Sequence, residues 1–231
     1  MNLPQQSYAR PMASPAETAF DTLWVSYRWM SLGLAVTGAV AWIVAATPAL
    51  LEIVLGNRMV FYVLLFAQLG LVMAFNAVAA RASSAAAAAM FFAYAALTGM
   101  TFSVLFLVYT AASIASTFFI TAGAFAGLSV FGAVTKRDLS SVGRFALFAL
   151  FGLIIASVVN MFLASSALMW ATTFAGVLIF GALTAYDTQK LLALYANNQG
   201  RNLAIQGALT LYLDFINMFL FLLRLFGRRR D

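Results

Sequence analysis

Two aspartates stand where a carboxylate is costly. Asp187 lies in GALTAYDTQKL and Asp214 in LTLYLDFINMFLFLL. Each is embedded in an apolar run, and a charge at the centre of a membrane span costs about 2.5–3.5 kcal/mol on insertion scales. Asp214 falls about eleven residues into its run, roughly 16 Å along a helix and close to mid-membrane. The helix carrying Asp187 is expected to continue through Leu191, Leu192 and Leu194 to Tyr195, placing that carboxylate about 12 Å from the helix end. The next helix returns from the same side near Arg201. The spacing predicts a helical hairpin in which the two carboxylates can meet.

Carboxylates that meet titrate as a unit, which makes a proton-sensitive element. They also make a hard-oxygen site for a divalent cation. Calcium takes about six to eight oxygens, so two aspartates need help, for which Asn217, Thr184 and water are candidates. Weak binding of that kind suits passage better than storage. Arg81, ending an earlier apolar run on the same side, is a candidate latch that could pair with an aspartate and close the mouth. Plainer roles compete: Asp187 could pair with Lys190 on its own helix, Arg81 could be a simple interfacial anchor, and Asp214 could bond Asn160 of a neighbouring span. Arg224 reads as a snorkelling anchor.

The elements that must position these groups follow from composition. The chain has 231 residues, 64% of them hydrophobic and only 9% charged, and its mean hydropathy is +0.96. A soluble domain has about 25% charged residues, so the solvent for this chain is lipid. Backbone facing lipid must be helical or closed into a barrel, and roughly 20 apolar residues span the hydrocarbon. The expected fold is all-α and integral to the membrane. Seven apolar stretches reach spanning length: 29–50, 60–80, 85–109, 113–134, 145–164, 168–195 and 203–225. Residues 1–22 are polar, carry Pro4, Pro11 and Pro15, and read as a flexible cytoplasmic tail. Residues 23–227 make one membrane domain, and 228–231 a short basic tail. The small residues Ala122, Gly123, Ala126, Gly127 and Gly132 predict tight helix packing along the fourth span.

The chain contains no cysteine and no histidine. Disulfides, thiol chemistry, haem ligation, histidine triads and most zinc sites are therefore excluded. The net charge of +6 reflects bases placed between apolar runs, which speaks for topology and lipid headgroups rather than nucleic acid. No basic start followed by an apolar run marks a cleavable signal, so the first span is expected to act as the insertion signal. The loop bases Arg10, Arg28, Arg81, Lys136, Arg137, Arg144, Lys190 and Arg201 fall on the N-terminal side and argue for a cytoplasmic N-terminus. Arg58 and the terminal Arg228, Arg229 and Arg230 fall on the other side if all seven segments cross. A re-entrant last segment would bring both termini to one side; seven full spans are favoured.

The stretches VYTAASIASTFFITAGAFAGLSVFGAVTKRDLSSVG, GALTAYDTQKL and LTLYLDFINMFLFLLRLFG resemble the Bax inhibitor-1 family in its bacterial branch, and the resemblance runs from about Trp24 to Gly227. It implies seven helices with the last one central and surrounded by the other six, in a bacterial inner membrane. It implies a pH-sensitive calcium leak whose sensor is Asp187 and Asp214, with calcium as the permeant ion, no resident cofactor, and Arg81 bonded on the pair's side of the pore. It further implies an interaction with an AAA-type membrane protease. Two other functions stay open: a membrane regulator without transport, and an intramembrane aspartyl protease. The protease reading has Tyr186-Asp187 in its favour, but Leu211-Tyr212-Leu213 precedes Asp214 where a glycine would be needed to admit a substrate backbone. The expectation is a protein that is not an enzyme.

Overall fold

The computed structural model describes residues 14–197 and 202–230. It is all-helical, in chain order α1 (Pro15–Ala46), α2 (Pro48–Leu55), α3 (Arg58–Ala79), α4 (Ser84–Phe102), α5 (Leu105–Val108), α6 (Ala111–Val134), α7 (Ser140–Leu163), α8 (Ser166–Asn197) and α9 (Leu203–Phe226). Seven are long and apolar enough to cross a membrane, with α5 continuing α4 and the short α2 as a connector. The seven expected spans are all present.

Polar residues mark the boundaries. Ser14 and Glu17 form a reciprocal capping box, Glu17 N donating to Ser14 Oγ at 3.2 Å and Ser14 N to Glu17 Oε2 at 2.7 Å. Pro15 sits in the first turn, where its missing N–H costs nothing. Residues 15–22, expected as flexible tail, are therefore the opening turns of α1. Pro15, counted there as part of the tail, starts the helix. Residues 1–13, and Arg10 and Arg201 among the bases used for orientation, lie outside the described residues. Asn57, Ser83 and Thr110 cap α3, α4 and α6 through their side chains, and Pro48 ends α1 by keeping Thr47 extended.

Two sets of connections define two faces. On the first face, Asn202 Nδ2 donates to the carbonyls of Ala79 and Ala82 at 2.9 and 3.0 Å, binding the α8–α9 connection to the end of α3. On the same face Gln189 of α8 accepts from Leu139 N at 2.8 Å and donates to the Arg137 carbonyl at 2.9 Å, holding the α6–α7 connection. The opposite face carries the end of α9. There Thr110 N donates to the Arg228 carbonyl at 3.0 Å and Arg230 N to the Val108 carbonyl at 2.9 Å, in a short antiparallel bridge. The last segment runs as one helix from the first face to the opposite one instead of turning back, and backbone bonds dock residues 228–230 there.

The most buried crossing helix is α9. It packs against α1, α3, α4, α6 and α8, while α7 leans on α8. Its interior contacts are aromatic: Tyr212 meets Phe91 and Tyr94 edge-on, and Phe215 meets Phe118 and Phe125. The Tyr212 hydroxyl lies 2.6 Å from Thr37 Oγ1, which also reaches the Ala95 carbonyl at 2.9 Å. One hydroxyl thus joins α1, α4 and α9.

Candidate functional site

The hairpin of α8 and α9 sets the register of the aspartates. Tyr195 of α8 fills the space that a Cβ at Gly207 of α9 would need, and its hydroxyl is 2.8 Å from Ser26 Oγ of α1. Deeper along the antiparallel pair, Gly176 accommodates the ring of Phe221. Between these fixed points lie Asp187 and Asp214, neighbours on the two arms of the hairpin. They are 9% and 5% exposed, and Asp214 Oδ2 is buried without a hydrogen-bond partner.

Small residues bring the neighbouring helices onto this point. Gly132 of α6 packs on the Ala185 carbonyl and Gly143 of α7 on the ring of Tyr186, two residues and one residue before Asp187. Tyr27 of α1 reaches in from the other side. Thr188 Oγ1 donates to the Thr184 carbonyl at 2.8 Å, so the Tyr27 hydroxyl at 3.1 Å is the donor to Thr188. Outward along α8, Lys190 Nζ lies 3.9 Å from Asp187 Oδ1 and also sits over the Tyr186 ring. That ion pair is the one present among the described residues.

The other expected site residues fall as follows. Thr184 is fully buried but gives its proton to the Phe180 carbonyl at 2.7 Å, which leaves its oxygen lone pairs as acceptors. Asn217 is one turn beyond Asp214 and donates to the Leu213 carbonyl at 2.8 Å. Arg81 is in the turn after α3, on the same face as the α8–α9 connection, but its residue is exposed and makes no ion pair with either aspartate. Asn160 is not a partner of Asp214: it sits three residues before the end of α7, on the opposite face, and accepts from Ser165 N at 3.0 Å. There it braces the turn at Ala164, whose φ of 48° needs support. Arg224 lies over the Phe221 ring at 5.6 Å, near the end of α9. No group of three or more acidic, histidine or cysteine residues able to hold a metal exists among the described residues, so a cation at the pair would complete its shell with carbonyls, hydroxyls and water.

Three contributors escaped the sequence reading: Tyr27, Thr188 and Ser129. A signal for the last existed. The buried positions of α6 recur every fourth residue as Ser113, Thr117, Thr121, Phe125 and Ser129, a hydroxyl-rich stripe facing α8 and α9.

A family model described as "Inhibitor of apoptosis-promoting Bax1" matches residues 23–231. The chain belongs to the Bax inhibitor-1 family. The match takes in the acidic hairpin and all of the helices except the opening turns of α1. Among similar proteins, the inner membrane protein YbhL of Escherichia coli is 50% identical over 210 residues, covering 88% of this chain and 90% of that one. An uncharacterised protein of Deinococcus radiodurans is 48% identical over 210 residues, with 89% of each chain covered. Another, from Caulobacter vibrioides, is 40% identical over 218 residues, with 89% and 87% covered. Each of these matches covers close to nine tenths of both chains.

Proposed function

We propose that this protein is a pH-sensitive cation leak of the bacterial inner membrane, with calcium as the permeant ion and Asp187 and Asp214 as its sensor. The observation that carries the reading is a buried aspartate on each arm of a helical hairpin, with one oxygen of Asp214 left without a partner. A buried acceptor of this kind invites a proton or a cation. Lys190, the cation within 4 Å of Asp187, is more than half exposed and can leave when the acid is neutralised. The E. coli relative's name as an inner membrane protein supports the location, and the loop bases support a cytoplasmic N-terminus. Neither aspartate is flanked by a glycine that would admit a peptide backbone, so we favour transport over hydrolysis.

The test is calcium entry into liposomes holding the reconstituted protein, titrated over pH, for the unaltered chain, Asp187→Asn and Asp214→Asn. Flux that rises and falls with pH only when both acids are present supports the reading. A flux with the same pH profile in both variants removes the aspartates from the sensor.

A further inference from the structure

We propose that the pocket between the start of α8 and the end of α9 holds the phosphate of an anionic phospholipid. Arg224 and Arg229 are its ligands, and one acyl chain lies along Trp170, Phe174 and Leu178. The cavity, about 370 Å³, is lined on one side by Trp170 and Thr173 of α8 and on the other by Arg224, Gly227 and Arg229. Two cations line it and no carboxylate does. Among the described residues the acid on this face is Glu52 of α2, a helix that packs on α1 and α3.

The two arginines are available to a ligand. Both are exposed, and neither forms an ion pair among the described residues. Arg230, by contrast, donates to the Phe106 carbonyl at 3.0 Å. The bonds of the Arg228 carbonyl and of Arg230 N hold the backbone on either side of Arg229, and Arg224 rests on the Phe221 ring. Thr173 gives its proton to the Met169 carbonyl at 2.6 Å, so the guanidiniums are the charged donors an occupant would meet. A guanidinium is a planar fork that matches phosphate oxygens in pairs.

Depth identifies the source of the phosphate. The 24 residues of α9 make about 36 Å of helix, against about 30 Å of hydrocarbon. Arg224 is two residues, about 3 Å, from the end of α9, and Trp170 is four residues, about 6 Å, from the start of α8. The pocket therefore lies where hydrocarbon gives way to headgroups, a depth that suits a tryptophan. Trp170 and Phe174 have rings 6.0 Å apart, and with Leu178 one turn on they form an exposed apolar stripe running from the arginines into the membrane. An anion with a hydrocarbon tail fits both parts. In the orientation proposed above, this face looks away from the cytoplasm, where bases are ordinarily few; holding a phosphate gives these arginines a local role.

Native mass spectrometry of the full chain in detergent, titrated with phosphatidylglycerol, tests the site. One tightly held lipid is expected. Arg224→Gln/Arg229→Gln should lower its affinity about tenfold or more, the effect of losing charged hydrogen bonds, and Trp170→Ala should lower it severalfold. Lys136→Gln/Arg137→Gln removes the same charge from the other face and should leave it unchanged. Arg229→Gln alone, whose neighbouring backbone bonds survive the substitution, keeps the test valid if the double variant fails to fold. Unchanged binding in the Arg224 and Arg229 variants would overturn the proposal. So would an equal loss in the Lys136 and Arg137 variant, which would reduce the effect to overall charge. Displacement of the lipid by excess inorganic phosphate would make the pocket a site for the free anion and equally reject the lipid.

Discussion

The hydroxyl of Tyr195 occupies the place where a Cβ of Gly207 would lie. Tyr195 is eight residues after Asp187 and Gly207 seven before Asp214, so this contact fixes which turns of α8 and α9 face each other. Replacing Gly207 with alanine forces the tyrosine away from Ser26 and spreads the hairpin. Overpacking of this kind costs about 1–3 kcal/mol. We expect a lower unfolding temperature in detergent, together with a weaker pH response of calcium flux. A normal pH response in a destabilised variant would show that the aspartates do not depend on this register.

Asp214→Asn removes a charge but keeps the shape, and its amide can donate to Asp187. Because Asp214 Oδ2 is buried and unpartnered, the substitution should leave stability unchanged or raise it by about 1–3 kcal/mol. Thermal unfolding read by circular dichroism checks this. A large loss would mean that the acid has a partner in the membrane that holds the fold together.

Gln189 holds the α6–α7 connection to α8 by two hydrogen bonds. Gln189→Ala should free the backbone around Lys136 and Arg137, and trypsin should cut there faster than in the unaltered protein. Equal cleavage rates would assign the rigidity of this connection to other contacts.

Thr37→Val deletes the hydroxyl that meets Tyr212 at 2.6 Å and leaves the tyrosine hydroxyl unpaired among buried rings. The expected loss is about 1–3 kcal/mol. Adding Tyr212→Phe should restore part of it, since the unpaired group is then gone. A double variant no better than the single one would place the cost in packing alone.

Asp138 lies outside the membrane spans, and its hydrogen bonds with Ser140 hold its carboxyl below the usual carboxylate range. A lowered folded-state value means that the contribution is present above the unfolded value and is lost as pH falls through the folded one. Asp138→Asn should therefore flatten the acid side of the stability profile while matching the unaltered protein at low pH. Thermal melts from neutral to acidic pH check this.

Depth along a helix is legible in sequence because the rise per residue is constant, and that arithmetic put Asp187 and Asp214 within about a turn of each other in depth. Azimuth is not. Arg81 was assigned the correct face, since Asn202 ties its turn to the hairpin, but nothing in the spacing said that its side chain would point outward. Asn160 was assigned a partner across the bundle because its span was known and its depth was not weighed; it belongs to the opposite face. Small residues misled in the same manner. Gly132 does bring α6 onto α8, whereas Ala122 and Ala126 face a void, and one sequence pattern serves both ends. Tyr27 was missed because a half-buried tyrosine among apolar residues looks like any interfacial aromatic until α8 is placed beside it.

The most buried crossing helix is also the one that follows all the others in the chain, and helices emerge from the ribosome in order. The earlier spans must therefore wait in the bilayer around an unfilled seat, with Thr37, Tyr94 and the hydroxyl stripe of α6 facing lipid. Arrival of α9 brings Tyr212 to Thr37 and Tyr94, and the backbone bridge between Tyr109 and Arg229 fastens its far end. A chain shortened before Arg228 would keep α9 in its seat but lose the backbone bridge that fastens its far end.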